Sequence, residues 1–208
     1  MQGYTPGPCE TLVSSVHGNG GFSDAENPIN ISHHSRGAVL TPASTKEAED
    51  GDVVEGKVHY VLPTLRAPEE ETTRGQLKGI AIVSNALEIC VEPYFCDRDG
   101  KAPLPLHGRS KITQVELFAG RDLLGCWGAD QAGGDEQQPL PADRDFRIHI
   151  GSDIHGHGDT SMFNENPKGL GVTLTVEFCD GNKGNGLMVC SVALVQSVGG
   201  RGYDMSQG

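Results

Sequence analysis

The feature that most constrains the fold is a strictly alternating run near the C-terminus. Every second residue from 172 to 178 is apolar, namely Val172, Leu174, Val176 and Phe178, and the residues between them are Thr173, Thr175 and Glu177. Successive side chains of a strand point to opposite faces, so the run predicts a strand with one buried and one solvated face. The following run, 187–198, is mainly apolar at both its odd and its even positions. We expect that strand to be central or covered on both faces.

Short β-branched runs separated by turn residues continue this pattern along the chain. They predict strands over 53–62, 77–83, 87–92, 112–119, 146–150, 170–178 and 187–198. The segment 180–186 contains Asp-Gly and Asn-Gly steps, which predict a hairpin turn between the last two strands. We expect no helix longer than two turns, and therefore an all-β fold of antiparallel sheets, as a sandwich or paired sheets.

Part of the chain is similar to a later part. The block Val91-Glu92-Pro93-Tyr94-Phe95-Cys96-Asp97 resembles Val176-Glu177-Phe178-Cys179-Asp180, with two residues inserted. Neighbouring triplets match in the same order: Lys78-Gly79-Ile80 with Lys168-Gly169-Leu170, Val58-His59-Tyr60 with Ile148-His149-Ile150, and Val115-Glu116-Leu117 with Val192-Ala193-Leu194. These matches predict an internal duplication, whose two β units would pair about a pseudo-two-fold axis.

The composition changes along the chain and divides it into segments. Residues 1–52 are rich in Gly, Pro, Ser and Asn without a sustained period, which predicts an extended N-terminal arm. We assign a first β unit to 53–128, a linker to 129–142, a second β unit to 143–200 and a flexible tail to 201–208.

The charge balance restricts the partners. The 16 Lys and Arg residues against 28 Asp and Glu residues give a net charge of −12, without a basic patch, so neither nucleic acid nor an anionic membrane surface is an expected partner. The longest nearly uncharged apolar stretch, 186–198, is too short to span a bilayer. No secretory signal is visible at the start, which leaves the compartment open.

One cluster has the residue types of a metal site. Asp153, His155, His157 and Asp159 follow His149, and residues two apart in an extended backbone share a face. Imidazole and carboxylate groups on one face suit zinc or another divalent metal. The alternative is a solvated, glycine-loosened loop in which the histidines are polar surface residues and no cofactor is bound.

No catalytic motif is present. The chain lacks a Gly-x-Ser-x-Gly elbow, a His-Glu-x-x-His pair and a phosphate-binding loop, so we predict no catalytic residues and a non-enzymatic protein. The 6 cysteines are too sparse for a disulfide scaffold, and we expect Cys90 and Cys190 to be buried, reduced thiols.

These features favour a structural protein that self-associates into a sheet, tube or shell, with the arm lying across a neighbouring copy. Two alternatives remain open from the residues alone. One is a metal-binding β-sandwich, either an enzyme or a carbohydrate-binding module, that uses His149, His155 and His157. The other is a viral coat or appendage protein.

The repeated Val-Glu and Phe-Cys-Asp block, within an acidic, glycine-rich tandem β design over 53–200, resembles the shell-forming proteins that enclose diatom pyrenoids. Subunits of that family pair two similar β domains and tile into a lattice around Rubisco. The resemblance implies a homo-oligomer or lattice, a shell function and a chloroplast location.

Overall fold

The computed structural model describes residues 10–24, 28–43, 53–63, 80–95, 110–128, 140–150, 169–178 and 185–200. Within these ranges every regular element is a strand except one short 3-10 helix, and all strand pairs are antiparallel. The elements are β1 (Glu10–His17), the 3-10 helix (Gly18–Gly20), β2 (Ile29–His34), β3 (Gly37–Pro42), β4 (Val54–Leu62), β5 (Ile80–Phe95), β6 (Lys111–Ala119), β7 (Asp122–Gly128), β8 (Phe146–His149), β9 (Leu170–Phe178) and β10 (Asn185–Gly200). The predicted all-β antiparallel class is confirmed.

The strands form two sheets. The 6-stranded sheet has the order β2-β3-β10-β5-β8, with β1 also paired to β10, and the 4-stranded sheet has the order β4-β9-β6-β7. Alternate residues of both sheets enter one shared core, as expected for strands with a period of two. The core includes Leu87, Ile89, Val192 and Leu194 from the first sheet and Val58, Tyr60, Val115, Leu117, Val172 and Leu174 from the second.

The last strand is central, as the sequence predicted. β10 pairs with β5 along one edge and with β3 and β1 along the other. Leu194 faces the shared core and is 0% exposed, while Val195, on the opposite face, is only 5% exposed. The apolar residues at both parities therefore reflect burial on both faces of the sheet.

The prediction that one face of β9 is exposed to solvent is partly wrong. Thr173 and Thr175 are only 6% and 1% exposed. β9 lies between β4 and β6, and an ion pair of 3.4 Å joins Lys57 of β4 to Glu116 of β6 across it. Long side chains on the two neighbouring strands thus shield the threonines from water, which the alternation alone does not predict.

Both sheets use the same pairing scheme. The order β4-β9-β6 in one sheet corresponds to β8-β5-β10 in the other, so each of these sets of three strands combines two strands of one predicted unit with one strand of the other. The two predicted units are consequently interlocked. Whether they arose by duplication stays a prediction.

The register and the irregularities also correspond. Val115 lies opposite Leu174 in one sheet, and Val192 lies opposite Ile89 in the other. Each pairing contains a bulge, where one strand carries an extra residue. In the 4-stranded sheet the extra residue is Thr113 of β6, which lies opposite the step from Val176 to Thr175. In the 6-stranded sheet it is Cys190 of β10, which lies opposite the step from Val91 to Cys90. The sequence match of Val91 with Val176 and Val115 with Val192 places these bulges at equivalent positions.

The N-terminal segment differs from the predicted arm. Its residues form β1, β2 and β3, all within the 6-stranded sheet. Gly18 packs so closely against β10 that a Cβ atom there would lie 1.7 Å from the carbonyl oxygen of Val189. These strands contain several Ser and His residues. β1 and β3 pair with β10, which is remote in sequence, and β2 pairs with β3. Their own composition therefore gave no strand signal.

Two further strand predictions need correction. Residues 80–83 of the predicted strand 77–83 and the whole predicted strand 87–92 belong to one strand, β5, whose pairing shifts register between Ala86 and Ser84, while residues 77–79 lie outside the described residues. The predicted hairpin between β9 and β10 is wrong, because these strands lie in different sheets. Residues 179–184 lie outside the described residues, and the Asp-Gly and Asn-Gly steps suit any chain reversal.

The shared core makes a direct prediction about stability. We expect Leu174→Ala to lower the free energy of unfolding by about 2–5 kcal/mol, because Leu174 is 0% exposed and its truncation leaves a cavity. Val61→Ala, at a side chain that is 63% exposed, should change it by less than about 0.5 kcal/mol. Urea denaturation measures both, and equal effects would contradict the assigned strand faces.

Candidate functional site

The proposed metal cluster falls mainly outside the described residues. His149 is exposed on β8, opposite Ala86. Asp153, His155, His157 and Asp159 lie outside the described residues, so the structure does not place them with His149. In the part of the chain that is described, no group of three or more His, Cys, Asp or Glu residues could hold a metal ion.

A His side chain on β4 lies between a hydroxyl and a carboxylate. Nδ1 of His59 is 2.9 Å from Oγ1 of Thr173, and its Nε2 is 3.5 Å from Oδ2 of Asp24. The order carboxylate, imidazole and hydroxyl is that of hydrolase triads. However, Thr173 is buried at mid-strand, with β4 and β6 paired on its two sides, which leaves the surrounding amides unsuited to stabilise an oxyanion. We interpret this group as a structural link between β4 and β9.

A groove of about 400 Å³ lies beside β8, on the 6-stranded sheet. Ile89 and Val91 enter the shared core, so Cys90 between them faces away from it. Asp145 fixes the start of β8, because its Oδ1 accepts a hydrogen bond of 2.8 Å from the Val91 amide. The groove is lined by Glu88, Ile89, Cys90, Asp145, Phe146, Arg147, Ser191 and Ala193.

Cys90, which lines this groove, lies beside a second thiol, Cys190. The pKa of Cys90 is raised to about 12, first by burial, then by the hydrogen bond and negative charge of Asp145, and also by Cys190. Burial, followed by the negative charge of Glu92, also raises the pKa of Cys190, against a hydrogen bond from Cys90 that lowers it. Both thiols are therefore protonated at neutral pH, which is unfavourable for a catalytic nucleophile.

Cys90 and Cys190 are free thiols, as the sequence predicted, but both are only partly buried. Their proximity was not predicted, because it depends on the register between two strands about one hundred residues apart in the chain.

Exposed apolar side chains form a second candidate site. Edge strands leave backbone donors and acceptors available to another chain. In the described residues, the edge strands are β1, β2 and β8 of one sheet and β4 and β7 of the other. Five large hydrophobic residues are at least half exposed, and all lie on or beside β1, β4 or β7: Val13, Phe22, Val53, Val61 and Leu123. Where the structure describes the side chains of central strands, these strands contribute none to this group.

The groove predicts a charge effect on its thiol. We expect Asp145→Asn to lower the pKa of Cys90, because the neutral amide no longer destabilises the thiolate while its oxygen can still accept the Val91 hydrogen bond. The pKa should remain above the ordinary 9.0, since burial is the largest cause of the shift. Alkylation rates against pH, resolved by peptide, measure this.

Asp143→Asn is the matched control, because it removes the same charge from a residue paired with Arg144 at 3.8 Å. An equal shift in both variants would refute the assigned role of Asp145.

Within the described residues, no helix is long and apolar enough to cross a membrane. Comparisons with protein-family models, with curated proteins and with solved structures find no match to the chain. Its function is therefore inferred from its own residues.

Proposed function

We propose that this chain is a non-enzymatic structural protein that self-associates through its sheet edges into a sheet, tube or shell. The observation that carries the proposal is that, among the side chains the structure describes, the exposed large hydrophobic residues lie on three edge strands and their immediate neighbours. Proteins that remain monomeric usually protect their edges with charged residues, prolines or short strands. Apolar side chains beside open strand backbone favour pairing with another copy.

The edge formed by β4 illustrates the geometry. The His59 amide donates to the Phe22 carbonyl at 2.8 Å, and the Phe22 amide donates to the His59 carbonyl at 3.0 Å. His59 thus turns its backbone groups away from β9, and the alternate residues Glu55 and Val61 turn theirs the same way. Within the described residues, Phe22 is the one residue that pairs with this edge. Val61 places an apolar side chain beside it.

The interlocked sheets support a rigid subunit. The corresponding orders of the two sheets and their equivalent bulges are what an internal duplication would produce. β1 beside β10 occupies the position that β7 occupies beside β6. We include the duplication in the proposal, with the N-terminal strand completing the sheet of the second unit. A pseudo-two-fold subunit presents similar edges on two sides, which suits a lattice.

The resemblance of the repeated block to diatom pyrenoid shell proteins extends the proposal to a shell around Rubisco in the chloroplast. The net charge of −12 argues against contacts with Rubisco through a basic patch on this chain. The shell role rests on self-association.

The edges make a prediction about assembly. We expect Val61→Lys combined with Leu123→Lys to weaken self-association about tenfold or more, because charged side chains at edges disfavour strand pairing. The fold should be retained, since these side chains are 63% and 51% exposed. Sedimentation velocity across a concentration series, with electron microscopy of the particles, measures the association.

Ser35→Lys, in the turn between β2 and β3, adds positive charge at an exposed position away from the strands. It should leave association unchanged or strengthen it, because it reduces the net charge of −12. A wild-type protein that remains monomeric at high concentration and physiological salt would refute the proposal.

A further inference from the structure

The bulge in β10 brings two cysteines together on one face of the 6-stranded sheet. Cys190 is the extra residue of this bulge, and the facing strand β5 presents Cys90 opposite the next residue, Ser191. A bulge sets two residues of one strand opposite one residue of its partner. Directly opposite residues in an antiparallel pair have Cα atoms about 4.5–5.5 Å apart, within the range that a disulfide spans. The two thiols are also close enough for each to affect the pKa of the other.

The pair is accessible to a reagent. Both cysteines are partly exposed. Cys90 and Ser191 line the groove beside β8, so a small thiol reagent can approach from outside the sheet.

The other sheet offers a natural comparison. At the equivalent bulge, between β6 and β9, the extra residue is Thr113, which lies opposite the step from Val176 to Thr175. Oγ1 of Thr113 donates to the Thr175 carbonyl at 3.5 Å. Two threonines therefore occupy the equivalent positions of this bulge, so the fold does not require thiols at this kind of bulge. Their presence in β5 and β10 adds a pair of thiols that the equivalent bulge lacks.

We propose that Cys90 and Cys190 are a reversible oxidation site that forms an intramolecular disulfide between β5 and β10. The oxidant belongs to the class of small disulfides such as oxidised glutathione. One thiol loses its proton and attacks the oxidant, which forms a mixed disulfide and releases one small thiol. The second cysteine loses its proton and attacks the protein sulfur of the mixed disulfide, which releases the second small thiol. Two electrons pass from the cysteine pair to the oxidant.

The location gives this bond a consequence. β5 and β10 form the longest pairing in the described chain, and the bond would close a loop of about one hundred residues. Oxidation therefore ties the two predicted units together covalently and restricts the unfolded chain. The raised pKa values make the reaction slow at neutral pH and faster as pH rises, because the thiolate is the attacking species. This inference does not depend on self-association.

The test treats the full chain with oxidised glutathione at mildly alkaline pH, then blocks the remaining thiols and maps the cysteines by mass spectrometry. We expect a linked pair of peptides containing Cys90 and Cys190, which dithiothreitol separates. The melting temperature should rise by several degrees after oxidation and return after reduction.

Cys90→Thr combined with Cys190→Thr is the matched control, because it copies the bulge of the other sheet. This variant should fold, and treatment with oxidised glutathione should not raise its melting temperature through a bond between residues 90 and 190. Free or separately glutathionylated Cys90 and Cys190 after prolonged oxidation would overturn the proposal, as would their preferential linkage to other cysteines. The peptide map of the wild-type chain decides this even where the double variant fails to fold.

Discussion

The structure depends on the pairing of β5 with β10. It extends from Phe95 opposite Asn185 to Ile80 opposite Gly200, and it joins strands from the two predicted units. The pairing lies at the centre of the 6-stranded sheet, and its inward residues contribute to the core shared with the 4-stranded sheet. Each fully buried aliphatic side chain there contributes about 1.5–3 kcal/mol, which offsets the entropy of bringing distant segments together. Such non-local pairing is slow to form, and it joins the two predicted units within one sheet.

The same arrangement determines where the molecule is incomplete. Two open sheets have edges, and a closed barrel would have none. The central strands β9 and β10 have partners on both sides, whereas β1, β4 and β7 each combine an edge position with nearby exposed apolar residues. We propose self-association as the simplest way to satisfy these edges. By contrast, two other arrangements have a geometry that suits structure more than catalysis. One is the line of Asp24, His59 and Thr173, and the other is the pair of protonated thiols, Cys90 and Cys190.

Local pattern accounts for much of the fold and long-range pairing accounts for the rest. The alternation around Leu174 correctly identifies β9 and its inward face, but the burial of Thr175 depends on neighbours from β4 and β6. β3 contains Gly37 and Pro42 and becomes a strand because it pairs with β10. The juxtaposition of Cys90 with Cys190 similarly depends on a bulge between remote strands. For the predicted metal residues, only His149 lies within the described chain, so that hypothesis stays a prediction.

The most direct measurement of the central claim is hydrogen exchange as a function of protein concentration, read at individual amides. Amides of β9 and β10, paired on both sides, should exchange slowly at every concentration. Outward amides of the edge strands, such as that of Val61, should exchange quickly in dilute solution and slow as copies pair. Edge amides that exchange at the same rate at all concentrations would contradict the claim that copies of the chain complete one another's sheets.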